Sequence, residues 1–81
     1  MGSRENLLNA IRNNPKDVRF KDAYKVARWL GFASASVRGS HHAFARHGEP
    51  SQLNFQNRDG KIPPYQAKQL IAMIDKYEPD L

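Results

Sequence analysis

The chain contains no cysteine. That excludes a disulfide framework, a thiolate zinc site and a cysteine nucleophile. The fold must be held by its core alone, which suits a reducing cytoplasm. No apolar run approaches membrane-spanning length and no signal peptide is visible, so no membrane partner is expected. No glycine-rich loop of the phosphate-cradling kind occurs, and nothing points to nucleotide hydrolysis. Acidic residues are the minority charge, with 8 Asp and Glu against 13 Lys and Arg, a formal +5. A basic excess in a short chain suits a polyanion, whether nucleic acid, an acidic protein or an anionic membrane surface, or it is ordinary solubilising charge, and by itself it does not choose among them. Length is limiting too. Residues 1–81 suffice for one domain with a modest core, so chemistry is expected on a shallow surface that suits an extended polymer.

What is present reads as a short series of elements. Met1-Gly2-Ser3 resembles a cloning scar and is set aside, although Ser3 can cap the helix that follows. Leu7, Leu8 and Ile11 share one helical stripe, with Glu5 in the first turn and Asn13-Asn14-Pro15 as a stop. A helix over 4–13 is predicted, too short to stand without docking. Ala23, Val26, Ala27 and Leu30 predict a second helix over 21–30. Gly31 stands where a left-handed cap residue is wanted, and Phe32 where it can pack back. Between Phe32 and Gln56 the period shortens. Arg38-Gly39-Ser40 and His47-Gly48-Glu49-Pro50 read as turns, and strands are predicted over 32–37, 41–46 and 52–56. Asn57-Arg58-Asp59-Gly60 closes the third strand. Ala67, Leu70, Ile71 and Ile74 predict a last helix that starts at Pro64 and is ended by Pro79. The fold class is therefore α+β: αβββα with an extra N-terminal helix, a three-stranded antiparallel sheet and helices on one face. Double-stranded RNA-binding domains share this architecture, and fold does not fix function.

All three histidines lie between positions 41 and 47. Imidazole titrates near neutral pH and can both take and return a proton. Strand parity separates the first two. Phe44 should face the helices and His42 shares its side, whereas His41 shares the open side with the small Ala43 and Ala45. His42 then reads as a buried, hydrogen-bonded histidine. His41 is either a substrate-facing group or an exposed histidine with no role. On the third strand Leu53 and Phe55 should face inward, and Gln52, Asn54 and Gln56 outward. Outward amides can bond sugar, phosphate or base edges, or simply keep a face polar. Arg38, Arg46, Arg58 and Lys61 stand near the turns, as phosphate ligands or as scattered charges. A metal site from His41, His42 and His47 is not expected, because adjacent strand histidines diverge and no carboxylate stands at ligand spacing. Ser40 beside a histidine lacks any nucleophile elbow or oxyanion arrangement.

At Gly39-Ser40-His41-His42-Ala43-Phe44 the chain resembles the HicA toxins of HicA–HicB toxin–antitoxin systems. The resemblance runs from about Leu7 to Tyr77. It takes in the Gly31-Phe32 helix exit, Leu53-Asn54-Phe55, and Gly60-Lys61 before Pro64-Tyr65-Gln66. It implies an mRNA interferase of double-stranded-RNA-binding-like fold, a cytoplasmic endonuclease that cleaves RNA through a histidine and is silenced by a HicB-like antitoxin. The motif histidine falls on His41, with His42 as the rival because some members place it one residue later. Parity independently selects His41. Two features depart from the family. Asn54-Phe55-Gln56 stands where many members carry a second histidine, and the leading helix exceeds the minimal domain. No cofactor is expected. RNA-binding residues on this reading are Arg38, Gly39, Ser40, Arg46, Gln52, Asn54, Gln56 and Lys61. The other readings are a non-catalytic RNA-binding module of the same fold and a domain that merely occupies an acidic protein.

Overall fold

A computed structural model of the chain describes residues 3–78. Met1 and Gly2 of the scar-like start, and the helix-ending Pro79, lie outside the described residues. The order is α1 (Ser3–Asn13), α2 (Phe20–Trp29), β1 (Ala33–Arg38), β2 (His41–Ala45), β3 (Leu53–Gln56) and α3 (Pro64–Tyr77). This is an α+β unit of three helices and one open sheet with strand order β1-β2-β3, antiparallel throughout. Ser3 is itself helical, so it lies inside the first turn rather than ahead of it.

Each boundary has a local cause. The second helix ends where Gly31 takes φ +91°. Its N–H donates to the Arg28 carbonyl at 3.0 Å, and the Phe32 N–H reaches back to Ala27 at 2.9 Å. This pair of bonds is the Schellman pattern. Phe32 is therefore spent on the cap and buried beneath it, and β1 starts one residue later than expected, at Ala33. Strand β2 stops at Ala45 rather than Arg46, and β3 begins at Leu53 rather than Gln52, which stands exposed ahead of it.

Helices α2 and α3 cover one face of the sheet. They bring Ala23, Val26 and Ala27, and Ala67, Leu70 and Ile74, against Phe44, Leu53 and Phe55. Alanines at these positions let the helix backbones approach, and the sheet aromatics fill the space, with Phe44 and Phe55 centroids 5.4 Å apart. Ile71, expected in the α3 stripe, is only half-buried, and the stripe continues instead to Tyr77. The leading helix docks on α3 through Leu8 and Ile11. Arg12 reaches Asp75 and Glu78, each at 2.7 Å, and Arg4 lies over the Trp29 ring at 4.8 Å. The α1 helix thus has the docking partner that its length requires.

The cover is incomplete. Every residue of β1 is exposed, Val37 to 55%. The strand also carries a bulge. Ser34 pairs with Phe44 and Ser36 with Ala43, which leaves Ala35 as the extra residue.

Candidate nucleic-acid interface

Two tight turns and the start of α2 meet at one end of the sheet. Arg38 pairs directly with His41, so Gly39 and Ser40 form a two-residue hairpin loop. Gly39 has φ +58° and Ser40 does not share it, the pattern of a type II′ turn with glycine first. The glycine of the family-like motif therefore has a sufficient backbone reason to be there. A second two-residue loop follows β3. Arg58 and Lys61 exchange backbone hydrogen bonds, and Asp59 and Gly60 both take positive φ, 52° and 86°, as a type I′ turn demands. The Asn57 N–H donates to the Ser40 carbonyl, and the Phe20 N–H donates to Gly60, both at 2.8 Å. The two loops and the α2 start are thereby tied into one corner.

His41 opens the central strand on the uncovered face. Its cross-strand neighbours are Arg38 on one side and Gln56 on the other. Such neighbours sit about 5 Å apart and share a face. Gln56 is in turn approached by Arg58, whose Nε donates to Oε1 at 2.9 Å. The result is a row across the sheet: Arg38, His41, Gln56, Arg58. Ser36, Ala43 and Asn54 form the next row in register. His41, Arg38 and Asn54 are exposed, Ser40 and Gly39 likewise, and Gln56 is half-buried. The His41 imidazole makes no hydrogen bond to any described residue.

His42 lies on the helix side, as parity requires, but it is only half-buried. It makes no side-chain hydrogen bond to a described residue, contrary to the expectation of a hydrogen-bonded core histidine. Its ring is held by Phe20 instead, with centroids 4.7 Å apart and planes at 56°. The helices stop short of β1, so the ring is not sealed. Phe20 also lines a shallow depression of about 340 Å³ together with Arg19, Lys21, Asn57, Asp59, Gly60 and Lys61. Lys61 carries an exposed ion pair with Asp17 at 2.7 Å, and that pairing holds the Asp17 carboxyl below its ordinary range.

Sequence reasoning missed Arg19, Phe20 and Lys21. A signal for them exists. Phe20 stands three, four and seven residues before Ala23, Tyr24 and Ala27, so the α2 stripe extends back by a turn.

Arg46 and Gln52 do not join this corner. They lie at the opposite end of the strands, roughly 16 Å from His41 for five extended residues. His47 accompanies them. Arg46 has the parity of Phe44 and turns inward. Its Nε donates to the Leu30 carbonyl at 2.8 Å, and its guanidinium lies 3.8 Å from the centroid of the Tyr77 ring. Arg46, expected among the RNA phosphate ligands, thus stands apart from the His41 corner, where its group closes the α2 end and the α3 end over the sheet. Nearby, Glu49 receives Lys76 Nζ at 2.7 Å, the Tyr77 hydroxyl, and the Ser51 N–H at 3.0 Å. These donors hold its carboxyl down to about 2, with Lys76 the largest influence.

Among the described residues, no group of three or more His, Asp or Glu is placed to hold a metal ion, and no helix is long and apolar enough to cross a membrane. The arrangement offers an exposed imidazole between an arginine and an amide, on a basic corner. Compared with known proteins, the chain matches no family model, no curated protein and no solved structure.

Proposed function

We propose that the protein is an RNA endonuclease of the HicA toxin kind, built on a double-stranded-RNA-binding-like frame and neutralised by a HicB-like antitoxin. The observation that carries the reading is the row Arg38, His41, Gln56, Arg58 on the uncovered sheet face. The two arginines hold consecutive phosphates, and the amide bonds ribose or a base edge. His41 acts on the bond between them. It takes the proton of a ribose 2′-hydroxyl, whose oxygen attacks the adjacent phosphorus, or it gives a proton to the 5′-oxygen that leaves as the P–O bond breaks, and solvent water carries the other of the two proton transfers. The products are a 2′,3′-cyclic phosphate and a 5′-hydroxyl. No metal enters the step, and the antitoxin silences it by covering the His41 face.

The test is cleavage of a defined RNA by wild type, His41→Ala and His42→Ala, with the chelator EDTA present and absent. A fall of about 10²- to 10⁴-fold in His41→Ala, with RNA affinity retained, is expected for one acid–base group. Normal cleavage by His41→Ala overturns the assignment. A fall in His42→Ala alone transfers it to the helix-side ring, and abolition by EDTA overturns the metal-free step. A complex with the antitoxin in which His41 stays open to solvent overturns occlusion.

One observation favours a second reading, a non-catalytic RNA-binding module. No described residue orients the His41 ring by a hydrogen bond, whereas acid–base histidines are commonly held by a second group. RNA binding without turnover, and no growth arrest on expression, select this module.

A further inference from the structure

The depression beside Phe20 lies outside the row just described, on the other side of the sheet. Its cations are Arg19, Lys21 and Lys61, and its one acid is Asp59. Lys61 is paired with Asp17, whose carboxylate also attracts Arg19, so Lys21 is the lining cation that lies farthest from this acid's influence. The floor is fixed rather than loose. Phe20 and Gly60 are joined backbone to backbone, and the Gly60 N–H also donates to Asn57 Oδ1 at 2.7 Å. With its Oδ1 so occupied, Asn57 keeps its amide N–H groups to donate. An aromatic ring, three exposed cations against Asp17 and Asp59, and amide donors in one hydrogen-bonded hollow suit a phosphate with its attached nucleoside.

We infer that this depression is a second RNA-binding site, which holds a phosphate of the same single strand that crosses His41. The inference rests on the proposed RNA reading and deepens it by specifying the form of the substrate. The strand lies across the open face at Arg38 and His41 and rounds the corner at the Gly39-Ser40 and Asp59-Gly60 turns. It then reaches the helix side at Arg19 and Lys21. A single strand bends sharply enough to follow that path. A duplex is stiff on this scale and reaches one face only. The substrate class is therefore unpaired RNA, whatever the ancestry of the frame.

The experiment measures binding of a fluorescent 2′-O-methyl single-stranded oligonucleotide, which lacks the attacking hydroxyl, across a salt series. The proteins are wild type, Arg19→Ala/Lys21→Ala, and Lys68→Ala, an exposed cation of α3. The double variant is expected to bind more weakly, with a log–log salt slope reduced by about 0.7 for each phosphate that is no longer neutralised. Lys68→Ala should keep the wild-type slope. A double variant indistinguishable from Lys68→Ala overturns the depression site and leaves the RNA reading standing. Equal wild-type affinity for a duplex of the same sequence also overturns it. No wild-type binding to either oligonucleotide at low salt brings down the RNA reading, and this inference with it. Both replaced side chains are on the surface, and melting by far-UV circular dichroism checks the fold. Should the double variant not fold, Lys21→Ala alone gives the same comparison.

Discussion

Gly31 and Arg46 are coupled through space, although 15 positions separate them. A methyl group on Gly31 would meet Arg46 Nε at 3.0 Å, on a backbone already at φ +91°. Gly31→Ala should therefore cost about 1–2 kcal/mol from the left-handed backbone alone, with displacement of Arg46 in addition, read as a lower urea midpoint. Arg46→Ala should be destabilised by about 1–3 kcal/mol, through its missing ring interaction and its missing bond to Leu30, and leave the salt slope of RNA binding unchanged. A reduced slope would place Arg46 in the RNA-binding set. At this scale the placement of the histidines was legible, because parity on a strand anchored by Phe44 needs no tertiary information. The same rule puts Arg46 on the inner side. Its ring partner, Tyr77, comes from the far end of the chain, and no local pattern announces that pairing.

Elements were legible where their punctuation is chemical. Gly31-Phe32 announced a cap, Gly39-Ser40 announced a turn, Asn57-Arg58-Asp59-Gly60 announced the end of the third strand, and Pro64 announced α3. Edges were less so, because Phe32 and Arg46 adjoin the strands in sequence but are claimed by helix ends. The link between the β2–β3 loop and α3 could not be read at all. Glu49 and its partners Lys76 and Tyr77 lie 27 and 28 residues apart, and neither segment marks the other. This link makes a pH prediction. The Glu49 carboxyl is held below its ordinary 4.5, at about 2. The stabilisation it gives is complete above pH 4.5 and is lost as pH falls towards 2. Wild type should melt higher than Glu49→Gln at pH 6, and the gap should close between pH 4.5 and 2. A gap that persists at pH 2 would show that the carboxylate charge is not what holds α3 to the loop.

The whole molecule is sorted along the strand direction. One end carries the row at His41, both tight turns and the depression at Phe20. The other end spends its charges on itself, through Arg46, Glu49 and Lys76. Net charge gave no hint of this division, because a sum carries no positions. It predicts that a non-cleavable RNA shifts the amide resonances of Arg38, His41, Arg58 and Lys21, and leaves those of Arg46, His47 and Gln52 in place. Uniform shifts over both ends would indicate attraction without a track. The bulge at Ala35 bears on how the sheet edge meets other chains. An uncovered outer strand with regular spacing offers its backbone to a neighbour, and sheets that extend from chain to chain begin in that way. The extra residue twists this strand out of line and spoils the fit. Removing Ala35 would straighten it, and the expected result in sedimentation is larger, concentration-dependent species than wild type forms.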